Sequence, residues 1–165
     1  MKKVIYLIIP LILLICINAC SGYKPIFSSS NMQFEIADYV IEGDKKLGNQ
    51  IYSKLYNLSN SNKNNPEVQS VHILIKVLKD KTATVKDSAG KILEYRISLN
   101  SNIVVKNYLN KDEILTQNFI SFSSYKVQNE YSETVKLENK TIENLVNKTY
   151  QDLLIKLSEN ITTEW

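Results

Sequence analysis

Apolar residues follow different rhythms along this chain, and each rhythm predicts a different element. From Val4 to Ile17 they run almost continuously, interrupted by Tyr6 and Pro10. From about residue 32 to 41 the residues Met32, Phe34, Ile36, Ala37, Val40 and Ile41 mostly alternate with polar ones, which is the period of a strand. Gly43-Asp44 then supplies a turn and a carboxylate suited to capping a helix. Leu47, Ile51, Leu55 and Leu58 recur at helical spacing and predict a helix from about Lys45 to Leu58. The polar, Asn-rich stretch from Ser59 to Pro66 breaks that pattern.

The middle of the chain alternates over long distances. Val71, Ile73, Ile75 and Val77 share one face of a strand, as do Leu93, Tyr95, Ile97, Leu99, Ser101, Ile103 and Val105 of the next. Between them Asp87-Ser88-Ala89-Gly90-Lys91 is hairpin chemistry, with Gly90 free to take a positive φ. A second hairpin falls near Asn110-Lys111-Asp112, followed by a strand from about Glu113 to Val127. In that strand Ile114, Leu115, Phe119, Ile120 and Phe122 do not choose one face. A final helix begins at Ser132, a candidate N-cap, with Glu133 favourable in the first turn. Val135, Ile142, Leu145, Val146, Thr149, Leu153, Leu157 and Ile161 lie on one side of it. The order β-α-β-β-β-α predicts an α+β fold, with two helices packed on one face of a mixed four-stranded sheet. The other face is then expected to be partly covered by a partner.

The first apolar run changes the picture of where this domain works. Met1-Lys2-Lys3 places positive charge ahead of it, and it spans 14 residues, fewer than the about 20 a membrane-crossing helix needs. That combination reads as a secretory signal peptide over residues 1–19. The junction Ile17-Asn18-Ala19-Cys20 resembles the bacterial lipobox, in which a small residue precedes a cysteine. The resemblance implies that the Cys20 thiol accepts diacylglycerol and, once exposed as the N-terminus, a further acyl chain. Two chains already give stable anchoring, so such a terminus would be held to the membrane permanently. Ser21, where aspartate would favour retention at the inner membrane, implies the outer membrane, periplasmic side. Residues 20–31 then form a lipidated tether, and residues 32–165 one domain.

Charge and chemistry narrow the function by exclusion. Removing Lys2 and Lys3 with the signal leaves 18 basic against 17 acidic residues, which is no nucleic-acid-binding balance. Cys16 and Cys20 leave no cysteine in residues 21–165 for a disulfide, a thiolate metal site or a nucleophile. His72 is the sole histidine and sits in a strand, where a structural role is the ordinary one. No phosphate loop, nucleophile elbow or His-Glu-x-x-His motif occurs, so we expect neither enzyme chemistry nor a cofactor beyond the lipid on Cys20. The run Lys76, Lys79, Lys81, Lys86, Lys91, Arg96 and Lys106 has two readings. Alternation puts many of these on the solvent face of the second and third strands, where lysines also discourage edge pairing. The sharper reading is a site for anionic lipid headgroups.

Taken together, the opening Cys20-Ser21-Gly22-Tyr23-Lys24-Pro25-Ile26-Phe27, the element order, and the segment Ser124-Tyr125-Lys126-Val127 running through Tyr131 and Glu138 into a long helix resemble the LptE family. That family comprises the small lipoprotein partners of the outer-membrane β-barrel that inserts lipopolysaccharide. The resemblance implies a non-enzymatic protein that sits in the barrel as a plug, supports its assembly and aids lipopolysaccharide delivery to the cell surface. Lys86, Lys91 and Arg96, around the tip of the central hairpin, are expected to contact lipopolysaccharide on grounds of charge and placement. An accessory lipoprotein of an intermembrane phospholipid transport system is the alternative.

Overall fold

The computed structural model describes residues 34–60 and 68–161. Its elements are β1 (Phe34–Gly43), α1 (Lys45–Asn60), β2 (Gln69–Lys86), β3 (Ile92–Asn107), β4 (Glu113–Lys126) and α2 (Tyr131–Ile161). The strands form one mixed sheet in the order β1-β2-β3-β4. β1 runs parallel to β2, which requires a crossover, and α1 supplies it; β2–β3 and β3–β4 are antiparallel hairpins. The expected α+β architecture of four strands and two helices is therefore the observed one.

Period-two alternation decides which face the helices take. Val71, Ile73, Ile75 and Val77 are all fully buried, as are Ile97, Leu99, Ser101 and Ile103 on β3. Leu47, Ile51 and Leu55 of α1 and Leu145, Val146, Thr149, Leu153 and Leu157 of α2 close over them. The crossover depends on one tight corner. Gly43 takes φ +73°, and Asp44 donates its backbone N–H to the Val77 carbonyl at 2.7 Å. Asp44 Oδ1 accepts the Leu47 N–H at 3.1 Å, which is the N-cap the sequence predicts. Further on, Gly48 brings α1 against the Ile41 side chain so closely that a Cβ there would displace it.

Both hairpin turns form where their residues demand. Asp87 and Lys91 close the first through a 2.9 Å backbone bond, Asp87 Oδ1 accepts the N–H groups of Ala89 and Lys91, and Gly90 has φ +82°. In the second, Lys111 takes φ 65°, the single positive-φ residue among the described residues that is not glycine.

Three expectations need adjustment. β1 begins at Phe34 and extends to Gly43, whereas Met32 lies outside the described residues. α1 continues to Asn60, past Leu58, since Ser59 is buried with its hydroxyl on the Tyr56 carbonyl. Ser132 is not the N-cap of α2. The helix already includes Tyr131, and Thr134 takes over the polar work at its start, accepting the Gln128 N–H at 2.8 Å.

Candidate functional site

With both helices on one side, the other face of the sheet is formed by the even-numbered residues of β2, β3 and β4 together with Asp38, Val40 and Glu42 of β1. At the β1 side His72 Nδ1 lies 3.0 Å from Asp38 Oδ2, so the lone histidine serves as a cross-strand contact. Glu42 and Lys76 pair next at 3.6 Å, and the row continues across the sheet through Asn102 and Asn118. The following rows are Leu78-Asn100-Ile120, Asp80-Ser98-Phe122 and Thr82-Arg96-Ser124. Lys76, Leu78, Asn100, Asn102 and Asn118 surround a shallow depression of about 440 Å³.

This composition is unusual for a solvated sheet. Asparagine fits a strand poorly, yet three amides gather here. Leu78, Ile120 and Phe122 are 53%, 67% and 66% exposed around them. Adjacent apolar side chains left in water, rimmed by polar ones, mark a surface that meets something. Both signs of charge are interspersed on the face: Lys76, Arg96, Lys106 and Lys126 stand among Asp38, Glu42, Asp80 and Glu94.

The basic run is divided by strand parity. Lys76, Arg96 and Lys106 belong to the open face, whereas Lys79 and Lys81 point to the helix side. There Lys79 approaches Asp44 at 3.9 Å and Lys81 reaches Glu138 at 2.6 Å. Of the run expected to include many residues on the solvent face, Lys76, Arg96 and Lys106 share it, whereas Lys79 and Lys81 do not. Lys86 and Lys91 flank the Asp87–Gly90 turn and are exposed. Arg96 sits further down β3, paired with Thr82 and Ser124, its guanidinium carbon 5.3 Å from the centre of the Phe122 ring. All three share the projecting hairpin, but Arg96 belongs to the sheet face and not to the tip. Cys20, the signal segment 1–19 and the tether 20–31 lie outside the described residues.

A polar latch missed by sequence reasoning holds the start of α2 over this hairpin. Tyr125 Oη donates to Glu138 Oε2 at 2.8 Å, beside the Lys81–Glu138 pair, and Lys81 Nζ lies 4.4 Å from the centre of the Tyr95 ring. Burial alone would raise the Glu138 pKa, but the hydrogen bonds from Lys81 and Tyr125 outweigh it and hold the carboxyl below its ordinary value. Burial likewise works to lower the Lys81 pKa, and Glu138 and Tyr125 reverse it, so the ammonium stays charged above its usual range. The depressed carboxyl contributes stability that is present above its ordinary pKa and lost as pH falls through the folded value. The raised ammonium contributes stability that is present below its ordinary pKa and lost as pH rises through the folded one. Thermal unfolding of the wild type and Glu138→Gln should therefore differ at neutral pH and converge in acid. A gap unchanged at low pH would remove the latch as its cause.

On the helix side, a cleft of about 710 Å³ runs between α1 and α2 over Leu47, Ile142 and Val146, with Asp44, Lys79 and Glu138 at one end. Within it Lys79 lies 3.9 Å from Asp44, while Glu138 is held by Lys81 from outside the lining.

No family model matches the chain, and no curated protein matches it. Solved structures do. A lipoprotein B from Nitrosomonas europaea is 14% identical with a TM-score of 0.58, over 86% of this chain and 92% of that one. A minor lipoprotein from Acinetobacter baumannii is 11% identical with a TM-score of 0.56, covering 77% and 92%. Rare lipoprotein B from Shewanella oneidensis is 12% identical with a TM-score of 0.53, covering 78% and 99%. At these identities the likeness is one of fold: this chain shares its architecture, over nearly the whole of each neighbour, with small bacterial lipoproteins.

Proposed function

We propose that this chain is a lipoprotein of the LptE type, anchored through Cys20 to the periplasmic side of the outer membrane. It partners the β-barrel that inserts lipopolysaccharide, acting as a plug that supports barrel assembly and aids delivery to the surface. The observation that carries this reading is the bare sheet face. A four-stranded sheet covered by helices on one side leaves Leu78, Ile120 and Phe122 exposed among amides on the other, a surface suited to contact and not to catalysis. The shared fold with solved lipoproteins, rare lipoprotein B among them, supports it, as does the short apolar leader ending in Ala19-Cys20. Isolation of the native complex in mild detergent, followed by mass spectrometry, tests the partnership. A large outer-membrane barrel is the expected companion. Recovery of an ABC transporter with lipid-shuttle components instead would assign the chain to phospholipid transport.

Lys86, Lys91 and Arg96 are the lipopolysaccharide contacts in this proposal. Two ammonium groups at an exposed tip and a guanidinium behind them offer separate donors to anionic headgroups. Replacing all three with alanine is expected to weaken lipopolysaccharide binding to the purified protein by about tenfold or more, with little change in melting temperature. Unaltered binding by the triple variant would dismiss these residues as the contact.

A further inference from the structure

The two edges of the sheet are built differently. β1 is guarded: it carries Glu35, Asp38 and Glu42, and its register against β2 is broken between Ile36 and Asp38. β4 has no such protection. From Ile114 to Tyr125 it contains no charge, no proline and no glycine, and its pairing with β3 is regular from Leu115 to Lys126.

The backbone phase of that edge follows from one bond. Val127 donates its N–H to the Leu93 carbonyl at 2.9 Å, in register with the β3–β4 ladder. Antiparallel pairs alternate between bonded and non-bonded positions, so the odd residues of β4 bond inward to β3. The N–H and C=O groups of Thr116, Asn118, Ile120, Phe122 and Ser124 therefore point outward, where the sheet has no further strand. The Asn118 carbonyl accepts a long bond from its own neighbour, Gln117 Nε2 at 3.4 Å.

This edge and the open face are one surface. Asn118, Ile120, Phe122 and Ser124 end the cross-sheet rows of that face, and the same residues turn their backbone groups to the edge. A partner seated on the exposed Leu78, Ile120 and Phe122 lies against unpaired backbone as well.

Resting on the function proposed above, we infer that the β4 edge takes an extended segment of the companion barrel's own chain as a fifth strand. In strand addition the main-chain bonds supply affinity and the alternating side chains supply choice. The barrel wall cannot serve, because closure pairs every one of its strands. The occupant is a stretch that leaves the wall and enters the lumen where the plug sits. Its chemistry follows from the edge. β4 is uncharged from Ile114 to Tyr125 and bounded by Glu113 and Lys126. The segment is accordingly uncharged through its middle, with a basic residue beside Glu113, an acidic one beside Lys126, and apolar side chains against Ile120 and Phe122. Plug and barrel are then joined by a backbone seam that truncating the Asn118 side chain leaves intact.

Asn118→Pro separates backbone from side chain. The ring removes one outward N–H and none of those that bond β3, and an edge strand tolerates proline at such a position. The full-length variant should melt within a few degrees of the wild type, and its recovery of the barrel in mild detergent should fall about tenfold. Asn118→Ala should recover the barrel as the wild type does. Amide exchange of the wild type is the second measurement, and it decides alone should Asn118→Pro fail to fold. Thr116, Asn118, Ile120, Phe122 and Ser124 should exchange about tenfold or more slowly in the isolated complex than in the free chain. Gln117, Phe119, Ser121 and Ser123 should be slow in both, because β3 holds them. A wild type that recovers no barrel defeats the proposed function itself. With the barrel recovered, outward amides that stay fast in the complex, or equal recovery by a folded Asn118→Pro, overturn the seam alone. Slowing that appears in the free chain as its concentration rises does the same, by assigning the edge to a second copy.

Discussion

Gly43→Ala is expected to destabilise the protein by about 3 kcal/mol, far more than the same substitution at Gly90. Both glycines have positive φ, +73° and +82°, so alanine costs each about 1–2 kcal/mol for its left-handed backbone. The surroundings separate them. A Cβ on Gly90 meets nothing within 4 Å, whereas one on Gly43 is driven into the backbone carbonyl of Val77. That carbonyl accepts the Asp44 N–H at 2.7 Å, and it cannot retreat without giving up the bond, worth a further ~0.5–1.5 kcal/mol. Gly43 ends β1 and Asp44 caps α1, so the strain falls on the parallel crossover itself. Urea unfolding of the two single variants measures the difference. Equal losses at both positions would show that backbone conformation alone sets the cost and that the tight corner contributes nothing.

What could be read from the chain, and what could not, follows the range of the interactions involved. The alternation from Val71 to Val77 and from Ile97 to Val105 is a local property, and it placed the central strands and their buried face correctly. Turn chemistry at Asp87–Lys91 and Asn110–Asp112 is equally local, and with it came the position of the projecting hairpin that carries Lys86, Lys91 and Arg96. β4 resisted because two apolar populations occupy it. Leu115, Phe119 and Tyr125 are core residues, while Ile120 and Phe122 lie on the open side and contribute nothing to that core. Hydrophobicity alone cannot distinguish the two. The register shift between Val105 and Lys106, which sets Glu113 opposite Lys106 and skips Ile114, leaves no mark in the sequence. The latch was invisible for another reason: Lys81, Tyr125 and Glu138 come from three elements, and Glu138 alone looks like an ordinary residue near a helix start. Thr134, Thr141 and Thr149 likewise read as polar punctuation, although all three are buried.

The two faces of the sheet should answer truncation in opposite ways. Leu153→Ala, in the stripe by which α2 grips the sheet, is expected to cost about 2–5 kcal/mol, because its side chain is fully buried and the rigid sheet beneath cannot collapse into the space. Phe122→Ala removes a larger side chain but should change stability by no more than about 0.5 kcal/mol, since the ring is 66% exposed and its neighbour is the Arg96 guanidinium at 5.3 Å. Unfolding in urea with a common slope checks both. A protein that keeps a ring on its surface without drawing stability from it gains nothing by folding that ring there. On the proposed function the gain lies in what the open face meets, so Phe122→Ala should reduce recovery of the barrel proposed as its companion while the folded protein persists. Should Phe122→Ala instead cost as much as Leu153→Ala, the face is part of the domain's own core, and the partner-binding reading loses its footing.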